Sequence, residues 1–365
     1  MTHKHSTRPD VLIVADDVTG ALDSAVAFAT RGLHVVAALS PDHLLGAYAS
    51  GADVVAVATN SRDIDTEAAR ASVSRIGERV RGFEGILFKK IDSRLKGHIA
   101  TEIEALTTAR RTTILASPAI PRLGRRVTGG KLCGAGVAAP IDVASQIGHA
   151  ARIPDIASQD DLRSALPDDL AGTLFVGAAG LAEALAERLA SGSPSRPVPA
   201  PYAPALFAIG SRDPVTVAQV TSLSGVPVVS APNGQVPAVS LSETTVVQVT
   251  PGSAEVPGSE AGRAFAAGVA NALSQSDFRT LLGCGGETAA AILRHLGAGL
   301  LEVCGELLPG VPLSRCLDTE RPLDLITKSG GFGAPDTLAN LIGILTNAAA
   351  SDATRQERIV TESRG

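Results

Sequence analysis

The chain of 365 residues is 45% hydrophobic but only 3% aromatic, with 37 Gly, 22 Pro, no Trp and a formal charge of -5 at pH 7. That length favours two domains over one, and the aliphatic composition excludes disorder, collagen and coiled coil. Four cysteines with no CxxC pair exclude a disulfide scaffold and a structural zinc site.

A reducing cytoplasm is the expected compartment. The apolar run after the charged N-terminus is too short for a signal-peptide core, and no stretch reads as a membrane span. The acidic balance and scarcity of aromatics argue against nucleic acid.

Short aliphatic runs alternate with helical patterns, the signature of βαβ units. Strands are expected at 11–15, 35–39, 54–58, 86–88, 113–116 and 173–176, with helices over 21–30 and from an Asp65 cap toward Gly82. The Pro/Ser-rich segment 191–204 reads as a linker. Beyond it, strands at 205–209, 228–230, 245–249, 280–283 and 323–327 alternate with helices near 259–273, 287–296 and 335–348, and a frayed tail follows Ala350. The expected fold is α/β, with one domain over 1–190 and another over 205–365, each a mostly parallel sheet flanked by helices.

The chemistry gathers at the carboxyl ends of these strands, the edge where open α/β sheets bind ligands. In "ADDVTGA", Asp16 and Asp17 precede a helix, so one of them can serve as its cap while the other accepts a hydroxyl or its proton. The segment "KKIDSRLKGH" assembles Lys89, Lys90, Asp92, Ser93, Arg94 and Lys96, with His98 the one histidine inside a candidate site. Cations there suit a carboxylate, and Asp and Ser suit hydroxyls; alternatively Asp92 and Ser93 cap the next helix and the cations are solvated. From Arg81 to Lys131, eleven Lys or Arg face four acids, a local balance of +7 inside an acidic protein. Arg122, Arg125 and Arg126, in a Gly/Pro-containing loop, extend this anion-binding character.

The second half offers glycine turns instead. "GCGGETAA" reads as strand, turn and helix, so backbone N–H groups near Gly285 and Gly286 and the start of a helix at Glu287 would cradle a phosphate. "KSGGFG" is a second loop of this kind. Neither matches GxxxxGK[ST] or GxGxxG, and GxSxG and HExxH are both absent.

Five ordered motifs, "VLIVADDVTGALDSA", "FKKIDSRLKGHIATEIEAL", "GSRDPVT", "GCGGETAAAIL" followed by "LLPGVPLSRC", and "LITKSGGFGAPDTL", resemble the four-carbon acid sugar kinase family along most of the chain. The resemblance implies an N-terminal sugar-acid-binding domain, a C-terminal nucleotide-binding domain and a site in the cleft between them. It also implies ATP-dependent phosphorylation of the terminal hydroxyl of a threonate-, erythronate- or oxo-tetronate-type acid, with Mg2+ accompanying ATP and no metal ligand assigned. Asp16 and Asp92 are the catalytic candidates, while Asp17, Lys90, Ser93, Arg94 and Arg125 are the substrate contacts. Ser211, Gly285, Gly286, Glu287, Thr288 and Gly330 fall to ATP. A homodimer is compatible with this reading.

The sequence departs from the family pattern at Arg94, commonly Thr, and at His98 and Gly331, commonly Asn. The polar stretch between Arg125 and Asp160 is shortened. That shortening motivates the alternative of a non-catalytic or regulatory sugar-acid-binding protein, against which the intact glycine turns speak.

Overall fold

A computed structural model describes residues 8–108, 113–190, 196–238 and 243–348; the tail after Ala350 and residues 191–195 of the expected linker lie outside them. The chain divides into two compact units, one comprising residues 1–196 with 300–305 and the other residues 197–299 with 306–365.

In chain order the first unit contains β1 (Val11–Ala15), α1 (Val18–Ala29), β2 (Val35–Ala38), α2 (Leu44–Ala49), β3 (Val54–Ala58) and α3 (Thr66–Arg79). Then come β4 (Ile86–Lys90), α4 (Ile99–Thr107), β5 (Thr113–Ser117), β6 (Arg125–Thr128), β7 (Lys131–Gly134), β8 (Ile141–Asp142), α5 (Val143–Ile147), α6 (Gln159–Ala165), β9 (Thr173–Gly177) and α7 (Ala179–Leu189). Its main sheet runs β2-β3-β1-β4-β9-β5, all parallel. Every residue of β1, β3, β4 and β9 is buried, which is why these strands read as continuous rather than alternating apolar runs. α1 packs against α7 and α3 against α4.

The second unit contains β10 (Ala205–Ile209), α8 (Pro214–Thr221), β11 (Val228–Pro232), β12 (Thr245–Thr250), α9 (Gly258–Ser274), β13 (Thr280–Cys284) and α10 (Gly286–His295). They are followed by β14 (Leu300–Leu308), β15 (Val311–Cys316), β16 (Asp324–Lys328) and a helix, α11, over 337–348. Strands β11-β12-β10-β13-β16 are parallel, and β15 joins β16 antiparallel.

Three features depart from the expectations. Residues Leu300–Glu302 of β14 pair antiparallel with β2, so this stretch belongs with the first unit although it lies far along the chain. Strand β15 also has no counterpart among the expected elements. Arg125 opens a strand rather than sitting in a loop: β6, β7 and β8 form a small antiparallel sheet, turned between β6 and β7 by Gly129 and Gly130, both at positive φ. Glycines suit such a two-residue turn because both central positions need φ above zero. No helix among the described residues is long and apolar enough to cross a membrane.

Ile13 is fully buried at the centre of β1, whereas Leu45 on α2 is 59% exposed. Urea denaturation should show Ile13→Ala losing about 2–5 kcal/mol through lost burial and a residual cavity. Leu45→Ala should stay within about 0.5 kcal/mol of the parent.

Candidate active site

In the first unit the site begins where β1 ends. Because β1 lies between β3 and β4, with Ala15 opposite both Ala58 and Lys90, the chain leaving each of the three strands arrives at one place. Asp17 is the N-cap of α1, accepting from the Gly20 N–H at 2.7 Å and from Thr19 Oγ1 at 2.8 Å. Asp16 is buried and takes two hydrogen bonds from Arg62, from Nε to Oδ2 and from Nη2 to Oδ1, each 2.8 Å. The remaining Arg62 nitrogen donates to Asp17 Oδ2 at 2.6 Å.

Arg62 thus clamps both adjacent carboxylates. It lies in "TNSRD", just past β3, and is not among the candidate residues read from the sequence. Burial alone would raise the Asp16 carboxyl, but Lys89, the bonds and charge of Arg62, and Lys90 together hold it below its ordinary value. Such a carboxylate is a good fixed charge and a poor proton acceptor.

Beneath this clamp Lys89, fully buried, pairs with buried Glu102 of α4 at 2.7 Å and donates to the Lys90 carbonyl at 2.9 Å. Glu102 also accepts from Ser61, whose hydroxyl meets Thr59 Oγ1 at 2.7 Å. The alternating β4 side chains place Lys90 on the other face, where its Nζ lies 2.9 Å from where a Gly20 Cβ would be and donates to the Ile91 carbonyl at 3.0 Å. A glycine at position 20 gives the ammonium room to cross the first turn of α1.

Asp92 and Ser93 do not cap α4, whose N-cap is His98 without a side-chain cap bond. Instead Asp92 Oδ1 accepts the backbone N–H groups of Arg94 at 2.9 Å and Lys96 at 3.4 Å, fixing a turn. Ser93 Oγ accepts from Arg125 Nη1 at 2.6 Å, and Arg125 Nε donates to the Ala135 carbonyl at 2.9 Å. Burial, followed by the like charge of Arg94, holds Arg125 below its ordinary pKa. Arg94 is exposed. His98 meets the Ile64 carbonyl at 2.6 Å and Thr66 at 3.3 Å, local contacts that hold the start of α4 against the loop ahead of α3.

In the second unit the ends of β10, β13 and β16 are neighbours, with Ile209 opposite Cys284 and Cys284 opposite Lys328. Gly285 turns the chain at φ +104 and ψ 128, outside the range of L side chains, and α10 begins at Gly286. The first N–H groups of that helix have no intrahelical acceptor. A Cβ at Gly330 would overlap Ser211 Oγ, and one at Gly210 would overlap Thr288 Oγ1. Ser211, Gly285, Gly286, Thr288 and Gly330 are therefore brought together, while Glu287 stands exposed in the first turn of α10. Fully buried Lys328 sits under this cradle, donating to Thr216 Oγ1 at 3.0 Å and the Ser329 carbonyl at 3.1 Å; burial pushes its ammonium below the ordinary value. Thr216 in turn donates to the Gly330 carbonyl.

The chain matches the sugar-binding N-terminal domain family over residues 11–142 and the nucleotide-binding C-terminal domain family over residues 216–338. It is 30% identical to a D-threonate kinase of Cupriavidus necator over an alignment of 418 residues covering 94% of this chain and 99% of the relative. It is 27% identical to a 3-oxo-tetronate kinase of Methylobacterium radiotolerans, covering 91% and 98%. A D-erythronate kinase of Heliobacterium modesticaldum is 32% identical over 126 residues, 34% of this chain and 29% of the relative. Two crystal structures share the fold: a Salmonella typhimurium LT2 protein, 19% identical with TM-score 0.69 over 90% of this chain and 98% of that one, and a Haemophilus influenzae protein, 20% identical with TM-score 0.65 over 92% and 100%.

The buried Lys89–Glu102 pair generates a stability prediction. Glu102→Gln leaves a buried ammonium without its counter-charge and should cost about 3–5 kcal/mol in equilibrium denaturation. Replacing both partners, as Lys89→Met with Glu102→Leu, should recover most of that loss, because no buried charge is left unpaired.

Proposed function

The chain belongs to the four-carbon acid sugar kinase family and is a carbohydrate kinase acting on a sugar acid; from that premise we propose that it phosphorylates the terminal hydroxyl of a threonate-, erythronate- or oxo-tetronate-type acid with ATP. The observation that carries this reading is a division of labour within one chain. Charged and hydroxyl side chains suited to a polyhydroxy acid gather at the ends of β1, β3 and β4, and a glycine turn opening a helix N-terminus, suited to phosphates, stands where β10, β13 and β16 end.

In the proposed assignment the first unit, from β1 through α7, takes the sugar acid. Lys90, Arg94 and Arg125 hold its carboxylate, Ser93 and Asp17 meet hydroxyls, and Arg125 is aimed by Ser93 and the Ala135 carbonyl. Asp16 and Asp92 act by orientation: Asp16 fixes Arg62, and Asp92 fixes the turn that presents Ser93 and Arg94. The second unit takes ATP, with Ser211, Gly330 and the Gly285–Thr288 turn around the phosphates.

The residues present fit a triphosphate, since the chain turns at Gly285 into the start of α10, whose first N–H groups have no intrahelical acceptor. They also fit Mg2+ brought with it. Among the described residues no three His, Cys, Asp or Glu gather as a cage, but Mg2+ on a nucleotide needs only one or two carboxylates beside phosphates and water. Asp213 would hold it, a carboxylate between these loops, with Oδ1 accepting from Val215 N–H at 2.9 Å and Oδ2 beside Gly331. Bound there, the ion would neutralise phosphate charge as the phosphoryl group moves.

The decisive measurement is ADP release across threonates, erythronates and their 2- and 3-keto forms. Turnover with at least one of them, and none with the matching neutral tetritols, is expected; turnover on neutral polyols alone would overturn the sugar-acid assignment. Gly285→Ala forces a side chain into a glycine-only conformation at a cost of roughly 1–3 kcal/mol. If that strain opens the turn, calorimetry should show ATP affinity falling roughly five- to 150-fold with sugar-acid affinity unchanged.

A further inference from the structure

α1, which opens at the Asp16–Asp17 clamp, carries a further carboxylate that neither the clamp nor the helix cap uses. α1 is buried along most of its length, from Val18 and Gly20 through Ala29, but Asp23 in its middle is partly exposed. Asp23 lies three residues beyond Gly20 and four beyond Thr19, hence on the same side of the helix. That is the face crossed by the Lys90 ammonium, which stands 2.9 Å from the Gly20 Cβ position.

The charges of Lys90, Arg122 and Arg125 act on the Asp23 carboxylate. Each is held elsewhere: Lys90 by the Ile91 carbonyl at 3.0 Å, Arg122 by Glu183 of α7 at 2.8 Å, and Arg125 by Ser93 at 2.6 Å. Among the described residues no hydrogen bond or ion pair closes on the Asp23 carboxylate. The carboxylates nearer the strand ends are occupied, Asp16 by two Arg62 bonds, Asp17 by Arg62 and the Gly20 N–H, and Asp92 by two backbone N–H groups on one oxygen.

We propose that Asp23 is the proton acceptor of the reaction, taking the proton of the sugar-acid hydroxyl as that oxygen bonds to the γ-phosphorus of the nucleoside triphosphate. The bond from phosphorus to the bridging β–γ oxygen breaks, its electron pair leaves with the diphosphate, and the proton remains on the Asp23 carboxyl until it passes to solvent. This inference rests on the kinase reading above. An unpaired carboxylate suits the role better than a clamped one, because proton uptake costs it no existing bond.

Burial raises the Asp23 carboxyl above its ordinary 3.8, and Asp17 adds to that, while Lys90, Arg122 and Arg125 oppose it. The charged groups that act on Asp23 from the packed elements are Asp17 at the head of α1, Lys90 from β4, and Arg122 and Arg125 from the segment after β5, with Glu183 of α7 bonded to Arg122. A base with a raised pKa is deprotonated, and active, only above that value. The acid limb of kcat against pH should accordingly lie above the ordinary carboxylate range and belong to Asp23.

Asp23→Asn, nearly isosteric, should lower kcat about 100-fold or more, leave KM for both substrates within about threefold, and abolish the acid limb. Calorimetry without nucleotide should show sugar-acid affinity within about threefold, since Asn still offers an acceptor oxygen. Asp23→Glu should keep an acid limb at reduced kcat, and it serves as the readout if the Asn variant does not fold. Asp92→Asn should retain the acid limb whatever its kcat. An Asp23→Asn enzyme with kcat within threefold of the parent, or with the acid limb in place, overturns the proposal. An unsubstituted enzyme inactive on every sugar acid of the panel overturns the parent reading instead.

Discussion

The Arg62 clamp is the interaction on which the rest of the first unit depends. Asp16 is buried beside Asp17, and two neighbouring carboxylates in low dielectric would repel each other and destabilise β1 at its functional end. Arg62 reaches both from the end of β3, and its planar fork satisfies Asp16 bidentately. Below it, Lys89 and Glu102 add a second pair, and Lys90 lies on the opposite face of β4. The six charges, three acidic and three basic, cancel. A neutral floor of fixed charges can be buried at the end of a parallel sheet, whereas any one of them alone could not.

This changes what the basic stretch from Arg81 to Lys131 means. Its local excess of +7 is not all available to a ligand. Lys89 is committed to Glu102, and Arg122 to Glu183. Arg110 and Arg111 lie outside the described residues. The group proposed to meet the acid is smaller, Lys90, Arg94 and Arg125. The second unit uses the opposite device, with backbone exposed by glycine and a single buried lysine, Lys328, whose charge is held by Thr216 and a carbonyl. Side-chain chemistry and backbone chemistry are thus segregated by unit.

The parallel strands were legible because strands buried on both faces read as unbroken aliphatic runs, and "VLIVA" or "VVAVA" admits few other interpretations. Edge and antiparallel elements were not. β14 carries two glutamates and a glycine within nine residues, a pattern that reads as neither buried strand nor helix, and its pairing partner β2 lies more than 250 residues away. The β6–β8 sheet is short and polar, and only the Gly129–Gly130 turn signals it. In the site, the acids, hydroxyls and glycine turns were visible as motifs. Arg62 was not, because its role exists only through the β1–β3 register, which brings it to carboxylates 45 and 46 residues earlier. Asp23 was hidden differently: one acid in an apolar helix looks like a solvated residue until its neighbours are known.

A kinase for a sugar acid must bring an anionic acceptor to an anionic donor, within a chain whose own formal charge is -5. In the proposed assignment, cations at the acceptor site would offset that repulsion and would favour an acid over a neutral sugar. Arg125 is partly buried and already held below its ordinary pKa by burial and by Arg94, so it sits in a field that gains from an incoming carboxylate. On that proposal a neutral polyol would displace water from the same guanidinium without supplying charge in return, and discrimination would come from that missing partner. Stereochemistry would be a separate matter, set in the proposed assignment by where hydroxyls fall relative to Ser93, Asp17 and Asp23. The alignment with the threonate kinase relative spans 418 residues against 365 in this chain, so that relative carries insertions absent here. In the proposed assignment, recognition of the acid would rest on residues past the ends of β1 and β4 together with Arg125, and selection among sugar acids is where a shorter chain has the most freedom to differ.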